Sequence, residues 1–408
     1  MSEIKGDALY LAAFGCLPGV GSVTLKHVLE VLGSPKKAWS LIAKNRVDWS
    51  KLQLSDRVQG ALKDGVVSFD LERLKGQLDR WQIGVIGYDD ELYPEGLREI
   101  FNPPMVLFYR GNVNLLKRRE AVAMVGARQC SVYGRNVANV LASKLGAAGV
   151  VIISGGAKGI DSYSHEGVLA ANGATIAVMG CGLEQAYPKS NVLLFRRIVE
   201  DGGLLLSEYG PGVGPKPYHF PMRNRIISGL AKAVIVVEAK SRSGSLITAD
   251  LAINEGRDVY TIPGNVLIPD FEGNHWLVSQ GATLLTRAEQ ILEAYGWGRH
   301  GKSHVMCNLF DESPEGSNTS GAYDFGPVKK DSSHNSTPMI SFNVEERKIL
   351  EALSNERETS LERLAVLTNL SEGALHLGLL NLELRRCIER TPTKGYIILD
   401  LGRNQFVH

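Results

Sequence analysis

The sequence has no cysteine pattern that would build a disulfide framework or a structural zinc site. Its five cysteines are odd in number, and no two of them form a C-x-x-C pair. Disulfide-rich domains and zinc sites both need paired or closely spaced cysteines. This pattern predicts a protein of the reducing cytoplasm. The cysteines are Cys16, Cys130, Cys181, Cys307 and Cys387.

Long apolar runs are also missing, and none reaches the roughly 20 residues of a membrane span. The stretch 8–17 is apolar, but Glu3 and Asp7 stand where a signal peptide would carry basic residues. The stretch also runs directly into a Pro-Gly-Val-Gly turn. We therefore interpret it as a buried helix and expect no membrane association.

Charge of one sign is not in excess, since 45 Lys and Arg face 44 Asp and Glu and the net charge is +1. Any binding of anions must then come from local clusters of cations. A chain of 408 residues is also too long for one ordinary core, which predicts two or three domains.

Several catalytic and cofactor motifs are absent. No G-x-G-x-x-G follows the first strand of the middle region, and there is no Walker G-x-x-x-x-G-K-[ST] pattern. His165-Glu166 lacks the second histidine of a zinc-protease motif, and no nucleophile, base and orienting residue can be grouped. We therefore expect no cofactor, no metal and no catalytic site.

The chain divides into four parts by its patterns. Residues 1–82 predict a helical domain of the SAM or helix-hairpin-helix type, with the turn 17–21 between two helices. Such a turn can hold a nucleic-acid phosphate through its amides, and a plain turn between packed helices is the alternative. Residues 299–342 are rich in Ser, Gly, Asn and Asp and predict a flexible linker. Residues 343–402 predict three helices and a hairpin, a winged-helix-like domain whose expected recognition helix, the third, is poor in Lys and Arg.

The middle part, 83–298, alternates apolar strands with helical patterns. This alternation is typical of an α/β fold with a Rossmann-like, doubly wound, mostly parallel sheet. Two short strands, predicted at 83–86 and 106–109, come before this alternation and begin the domain. The main strands are predicted at 121–125, 150–153, 175–179, 204–207, 234–238 and 258–262, with a further one at 282–285.

A glycine-rich stretch, 154–161, lies between a predicted strand and a predicted helix and reads Ser-Gly-Gly-Ala-Lys-Gly-Ile-Asp. Glycines let backbone N–H groups approach a phosphate, and the helix dipole favours negative charge. Lys158 adds a cation, and Asp161 is expected to cap the helix. A tight strand-to-helix connection without a ligand would use the same glycines, so this stretch alone leaves both readings open.

Similar stretches recur after other strands and carry cations. We expect four loops on one rim of the sheet, at 125–131, 154–161, 220–225 and 240–245. Together they predict a groove for successive phosphates of a nucleic acid. Arg223 could instead form a structural salt bridge. The groove cations are Arg128, Lys158, Arg223, Arg225 and Arg242.

With these loops in view, the chain resembles the DNA-processing protein A (DprA/Smf) family. The resemblance rests on the motifs at 125–128, 154–161, 220–229, 243–246 and 263–265, and it covers the whole middle domain. It implies binding of single-stranded DNA without sequence preference, loading of the recombinase RecA during natural transformation, and homodimerisation through the Rossmann-like domain. It establishes no catalytic activity.

Carried onto this sequence, the resemblance makes Arg128 and Lys158 the phosphate ligands. Other residues would shape the pocket, and Arg223, Asn224 and Arg242 complete the expected DNA-phosphate site from the loops. The pocket-shaping residues are Gly126, Gly155, Gly156, Asn191, Arg225, Ser243 and Gly244.

Two other functions stay open at the level of sequence. One is a nucleotide-processing Rossmann-like hydrolase related to phosphoribohydrolases, whose motif glutamate is not matched in the loop 243–248. The other is a winged-helix DNA regulator, which the acidic, Leu-rich tail disfavours.

Overall fold

The computed structural model describes residues 6–298 and, in the tail, 344–354, 359–368, 370, 374–375, 378–379, 382–383, 387–391 and 395–398. The chain divides into two compact units, 1–315 and 316–408. The predicted linker, 299–342, lies outside the described residues. The four-part domain division of the sequence stays a prediction.

A nine-stranded sheet forms the centre of the first unit, in the order β1-β2-β6-β5-β4-β3-β7-β8-β9. The seven strands from β3 onward pair in parallel, and β1 and β2 add an antiparallel edge beside β6. This confirms the predicted mostly parallel sheet. The strands are β1 Gly84–Gly87, β2 Val106–Gly111, β3 Ala121–Val125, β4 Val151–Ser154, β5 Thr175–Met179, β6 Leu204–Ser207, β7 Ala233–Val236, β8 Asp258–Thr261 and β9 Thr283–Leu284.

Helices cover both faces of this sheet, which is why its central strands are apolar on both sides. In β3 the alternate residues Ala121, Ala123 and Val125 join one apolar cluster, while Val122 and Met124 join another on the opposite face. The helices of this region are α6 Glu95–Arg98, α7 Val132–Ala147, α8 Ile160–Ala170, α9 Val192–Glu200, α10 His219–Leu230, α11 Gly244–Asn254, α12 Glu272–Ser279 and α13 Glu289–Tyr295.

Five helices precede the sheet: α1 Gly6–Cys16, α2 Ser22–Leu32, α3 Pro35–Ala43, α4 Asp56–Ser68 and α5 Leu71–Trp81. The predicted turn between α1 and α2 is confirmed, and Gly19 takes a φ of 82° within it. Phe14 and Trp39 meet edge-to-face at 5.0 Å in the core of these helices. The same apolar cluster continues to Phe108 in β2 and Phe195 in α9, so the helices pack directly against the sheet layer.

One predicted loop is wrong. Residues 220–225 were expected to form a loop before a helix starting at Arg225, but they lie in α10, which begins at His219. Pro221 is compatible with this position because the first N–H groups of a helix have no intrahelical partner. The Phe-Pro pair therefore marks the start of the helix and not a break before it.

The described part of the tail contains helices α14 Val344–Ser354 and α15 Leu361–Thr368. It also contains an antiparallel sheet in which strand β12, Gly395–Ile398, pairs with β10, Thr359–Ser360, and with β11, Ile388–Arg390. Strands β11 and β12 confirm the predicted hairpin. The predicted third helix lies partly outside the described residues, so the winged-helix assignment stays a prediction. Among the helices that the structure describes, in both units, none is long and apolar enough to cross a membrane.

Candidate nucleic-acid interface

The chain winds outward from β3 in two directions, and this creates a crevice at the carboxyl ends of the strands. From β3 it passes through β4 and β5 to β6 on one side, and β7, β8 and β9 lie on the other side. Ligands of doubly wound sheets bind where the strand order reverses in this way. A cavity of about 390 Å³ lies there, and its walls include Gly126, Arg128, Ala157, Asn224 and Ser243.

The glycine-rich stretch after β4 forms a tight turn before α8. Gly156 and Gly159 take positive φ values of 63° and 78°. A Cβ on Gly159 would lie 2.2 Å from the carbonyl oxygen of Ala127, so only glycine fits between the two loops. Asn191 holds the turn from a distant segment, because its side-chain amide donates to the Gly156 carbonyl at 2.9 Å and to the Ser162 hydroxyl at 2.8 Å.

The sequence predicts that Asp161 caps α8, and this prediction is wrong. The cap position is Gly159, and the Asp161 carboxylate instead accepts the N–H groups of Gly155 and Ala157 at 3.2 and 3.3 Å. Two of the loop amides are thereby occupied by a carboxylate of the chain itself. Burial raises the pKa of Asp161, and the neighbouring charge of Arg223 and these two amides oppose that rise.

Arg223 lies in the interior beneath the same turn, with 4% of its surface exposed. Its Nη1 donates to the carbonyl of Gly155 at 2.7 Å and also to the carbonyl of Val178. A Cβ on Gly155 would lie 2.6 Å from Arg223 Nη2 and 2.7 Å from Asp161 Oδ2. The missing side chain at Gly155 therefore makes room for this pair of opposite charges.

Arg128 and Lys158 are two exposed cations at this rim. Both line a second cavity of about 250 Å³, together with Tyr187, Pro188 and Phe220. The Arg128 guanidinium lies 5.5 Å from the centre of the Phe220 ring, and the rings of Phe220 and Tyr187 lie 5.3 Å apart. Neither cation forms an ion pair within the part of the chain that the structure describes.

The structure brings together only part of the site predicted from the sequence. Six of the predicted residues line the crevice cavity, and four line the adjoining one. The six crevice residues are Gly126, Arg128, Arg223, Asn224, Ser243 and Gly244, and the four of the adjoining cavity are Arg128, Gly155, Lys158 and Arg223. Four predicted residues border neither cavity: Gly156, Asn191, Arg225 and Arg242.

Arg225 is held away from the crevice by an ion pair. Its Nη2 lies 2.6 Å from Glu208 Oε1, and the arginine side chain is 8% exposed. The Ser22 hydroxyl at the start of α2 donates to the same carboxylate oxygen at 2.7 Å. Arg225 thus ties α10 to the helical front of the chain, while Arg242 lies on the exposed loop after β7.

Sequence reasoning overlooked two contributors to the rim. Tyr187 and Phe220 form an aromatic pair, and both lie in segments that the sequence analysis selected for other residues. Aromatic residues within those segments were the signal that could have predicted this pair. Glu238 is fully buried. Its carboxylate accepts the N–H of Ser131 at 2.9 Å and the Ser131 hydroxyl at 2.6 Å, which fixes the loop that carries Arg128.

His165 lies beneath the site and is completely buried. Because the Thr175 hydroxyl donates to the carbonyl of Ile152 at 2.6 Å, it accepts from the imidazole, and Nδ1 carries the proton in this 2.7 Å bond. Burial, aided by the nearby Arg223 charge, lowers the pKa of His165 to about 3. His165 therefore remains neutral in the folded protein at any pH in the ordinary working range.

Acidification should destabilise the protein through His165. The unfolded chain binds a proton near pH 6.5 and the folded chain near pH 3, so stability rises with pH across that window and is lost as pH falls through it. By linkage the loss is about 2 kcal/mol on going from about pH 7.5 to about pH 5. In urea unfolding, His165→Asn should lose less stability over this range than the wild type. His27→Asn, at a half-buried histidine in α2, is the control and should follow the wild type. Equal pH dependence of His165→Asn and wild type would contradict the assignment.

The fold and rim define a Rossmann-like α/β protein with a crevice, lined in part by cations, at the carboxyl ends of its parallel strands. Comparison with known proteins identifies its family. The family model for DNA recombination-mediator protein A matches residues 84–296, and the chain belongs to this family.

The relatives include Protein Smf of Synechocystis, 32% identical over 410 residues, covering 96% of this chain and 99% of that protein. The DNA processing protein DprA of Streptococcus pneumoniae is 48% identical over 206 residues, covering 50% of this chain and 72% of that protein. The X-ray structure of that DprA aligns with a TM-score of 0.60 at 37% identity, covering 71% of this chain and 98% of that one.

Proposed function

We propose that this protein binds single-stranded DNA without sequence preference and loads the RecA recombinase onto it in the cytoplasm, supporting DNA uptake and recombination. The observation that carries the proposal is the rim built by Arg128 and Lys158 over a cavity whose wall is the aromatic pair Tyr187 and Phe220. The two cations can contact phosphates, and the rings can stack on unpaired bases.

The surroundings of these cations favour a strand of any sequence. Base–aromatic stacking tolerates every base because each has a π-face, and a duplex does not offer its bases for stacking in this way. Arg128 and Lys158 would contact phosphates, which carry no sequence information. The buried Arg223, Arg225 and Asn191 would then shape the rim through the loops they hold, while Arg242 would contact a phosphate farther along.

We propose that the protein acts by binding and not by catalysis. Among the described residues that line the two cavities, Asp161 is the one carboxylate. Its Oδ2 accepts two backbone N–H groups, and the residue is 7% exposed. A general base must come within hydrogen-bond reach of its substrate, and this burial does not favour that.

The partners in this proposal are RecA and a second copy of the chain. The matched family is described as a recombination mediator, and the relatives are named as DNA processing proteins. A homodimer is supported by exposed apolar side chains on α12 and on the edge strand β9: Trp276, Val278 and Leu284 are 43%, 38% and 44% exposed. Sedimentation velocity tests this directly, and a monomer at all concentrations would contradict it.

The function is tested by fluorescence anisotropy with labelled oligo-dT, a mixed-sequence strand and a duplex of the same length. We expect similar affinity for both single strands, weaker binding to the duplex, and a linear fall of log K with log salt. A RecA filament-assembly assay on the same strand, coated with single-strand-binding protein, measures loading. Preference for the duplex, or salt-independent binding, would contradict the proposal.

A further inference from the structure

A second cationic cavity lies at the opposite rim of the sheet. Its volume is about 640 Å³, within the range of roughly 300–1,000 Å³ that is typical of small-molecule sites. Its cations precede strands: Lys117 to Arg119 come just before β3, Lys232 just before β7 and Arg257 just before β8. Because parallel strands begin at the same edge of a sheet, this cavity lies at their amino ends.

This amino-terminal cavity is separate from the crevice that holds Arg128. The crevice loops follow the carboxyl ends of the same strands, and β3 is five residues long. At roughly 3.3 Å per residue the two rims are about 16 Å apart along that strand. The two cavities share no lining residue.

The charge of this cavity is positive. Five cations line it against two carboxylates, Glu91 and Glu95. The three arginines are ion-paired: Arg118 with Glu120 at 3.3 Å, Arg119 with Glu95 at 3.6 Å and Arg257 with Glu99 at 3.2 Å. Lys117 and Lys232 are exposed and form no ion pair with any residue that the structure describes. The two lysines are therefore the cations of this cavity whose charge no described ion pair neutralises.

An aromatic pair forms one wall of the cavity. The rings of Tyr295 and Trp297 are stacked with their centres 4.6 Å apart and their planes 23° from parallel. The Tyr295 hydroxyl is held by the Asp258 carboxylate at the start of β8. A fixed aromatic surface beside free lysines offers stacking to a base and charge to its phosphate, the two contacts that single-stranded nucleic acid uses.

We propose that this amino-terminal cavity is a second binding site for a single-stranded nucleic-acid segment. Lys117 and Lys232 contact its phosphates, and Trp297 stacks on a base. The two lysines lie at two separate strand starts, before β3 and β7, and this spacing along the rim suits successive phosphates better than one free nucleotide. With both rims in use, one molecule holds two segments of strand at once.

The test uses the full chain with Arg128→Ala and Lys158→Glu, which weakens the carboxyl rim. Anisotropy with labelled oligo-dT at low salt should show residual binding. Adding Lys117→Glu and Lys232→Glu should reduce that residual affinity at least roughly tenfold and lower the salt slope by about 1.4, the share of two phosphates on a single strand. Adding Trp297→Ala instead should reduce affinity with little change in salt slope. Lys44→Glu with Lys75→Glu, two exposed lysines of the helical front, is the control with the same change of charge and should have no effect.

The outcomes separate this site from the carboxyl rim. No residual binding in the weakened background, or residual binding that ignores Lys117 and Lys232, overturns the second site. Competition by inorganic phosphate or dTMP at the same concentration of phosphate groups as the oligonucleotide would identify a simple anion or a free nucleotide and also overturn it. If the weakened background binds like wild type while Lys117→Glu with Lys232→Glu abolishes binding, the second site stands and the proposed role of Arg128 and Lys158 fails.

Discussion

Replacing Arg128 by alanine together with Lys158 by glutamate is expected to lower the affinity for oligo-dT about a hundredfold. Two charge-assisted contacts to phosphate contribute about 3 kcal/mol, which corresponds to that factor. Both side chains are exposed at the mouth of one cavity. The slope of log K against log salt should also fall by about 1.4, because two phosphates lose their cations. Anisotropy over a salt series measures both quantities.

The matched control is Arg46→Ala with Lys44→Glu, which makes the same chemical change at two exposed residues after α3. It should bind like wild type. Arg242→Ala separates the contribution of the cavity from that of the wider rim. Since Arg242 borders neither cavity, its loss should cost less affinity than loss of Arg128. Wild-type affinity in the Arg128 and Lys158 double variant would show that the strand binds elsewhere.

The sheet could be predicted closely because its strands are buried on both faces. β3, β5 and β6 begin and end at the residues that their apolar runs indicated. Such runs are continuous, so their ends are visible in the sequence. The start of α10 could not be found this way, because Phe220-Pro221 resembles a break and the helix begins just before it.

Less of the site could be predicted because its geometry depends on contacts between distant segments. Asn191 reaches back to Gly156 across 35 positions, and Glu238 reaches Ser131 across 107. Local patterns such as a glycine-rich turn identify where a phosphate could bind. They do not reveal that Asp161 already occupies two of the turn's amides. The sequence therefore grouped the exposed Arg128 and Lys158 with Arg225, which is buried, and it offered a structural role only for Arg223.

Arg223 shows what those interior arginines do, and its removal is expected to destabilise the protein strongly. Arg223→Ala would leave two backbone carbonyls, of Gly155 and Val178, without their donor. It would also leave the buried Asp161 without its neighbouring positive charge. Each buried acceptor left without its donor costs about 1–3 kcal/mol, so the loss of both should cost roughly 2–6 kcal/mol. Urea unfolding measures the loss, and Arg46→Ala at an exposed arginine is the control, expected within about 0.5 kcal/mol of wild type.

The destabilisation caused by Arg223→Ala should be smaller at low pH than at high pH. Without the Arg223 charge, the pKa of Asp161 is expected to rise further above its value in the unfolded chain. The folded variant then binds more protons than the unfolded chain, so its stability falls as pH rises and recovers as pH falls. Loss of Arg223 also removes a charge that lowers the pKa of His165, which acts in the same direction. The difference in unfolding free energy between wild type and Arg223→Ala should therefore become smaller as the pH is lowered from about 8 to about 5.

A double-mutant cycle with Asp161→Asn separates this charge pair from the general loss of packing. Asparagine removes the buried charge and keeps an oxygen that can accept from Gly155 and Ala157. If the two charges stabilise each other, the double variant should be more stable than the sum of the single losses implies, by about 1–3 kcal/mol. Additive losses would show that Arg223 acts only through the carbonyls of Gly155 and Val178. In either case the glycine-rich turn loses its anchor, so single-strand affinity should fall in Arg223→Ala even though Arg128 and Lys158 are intact. That result would establish that the exposed cations depend on a buried arginine for their position.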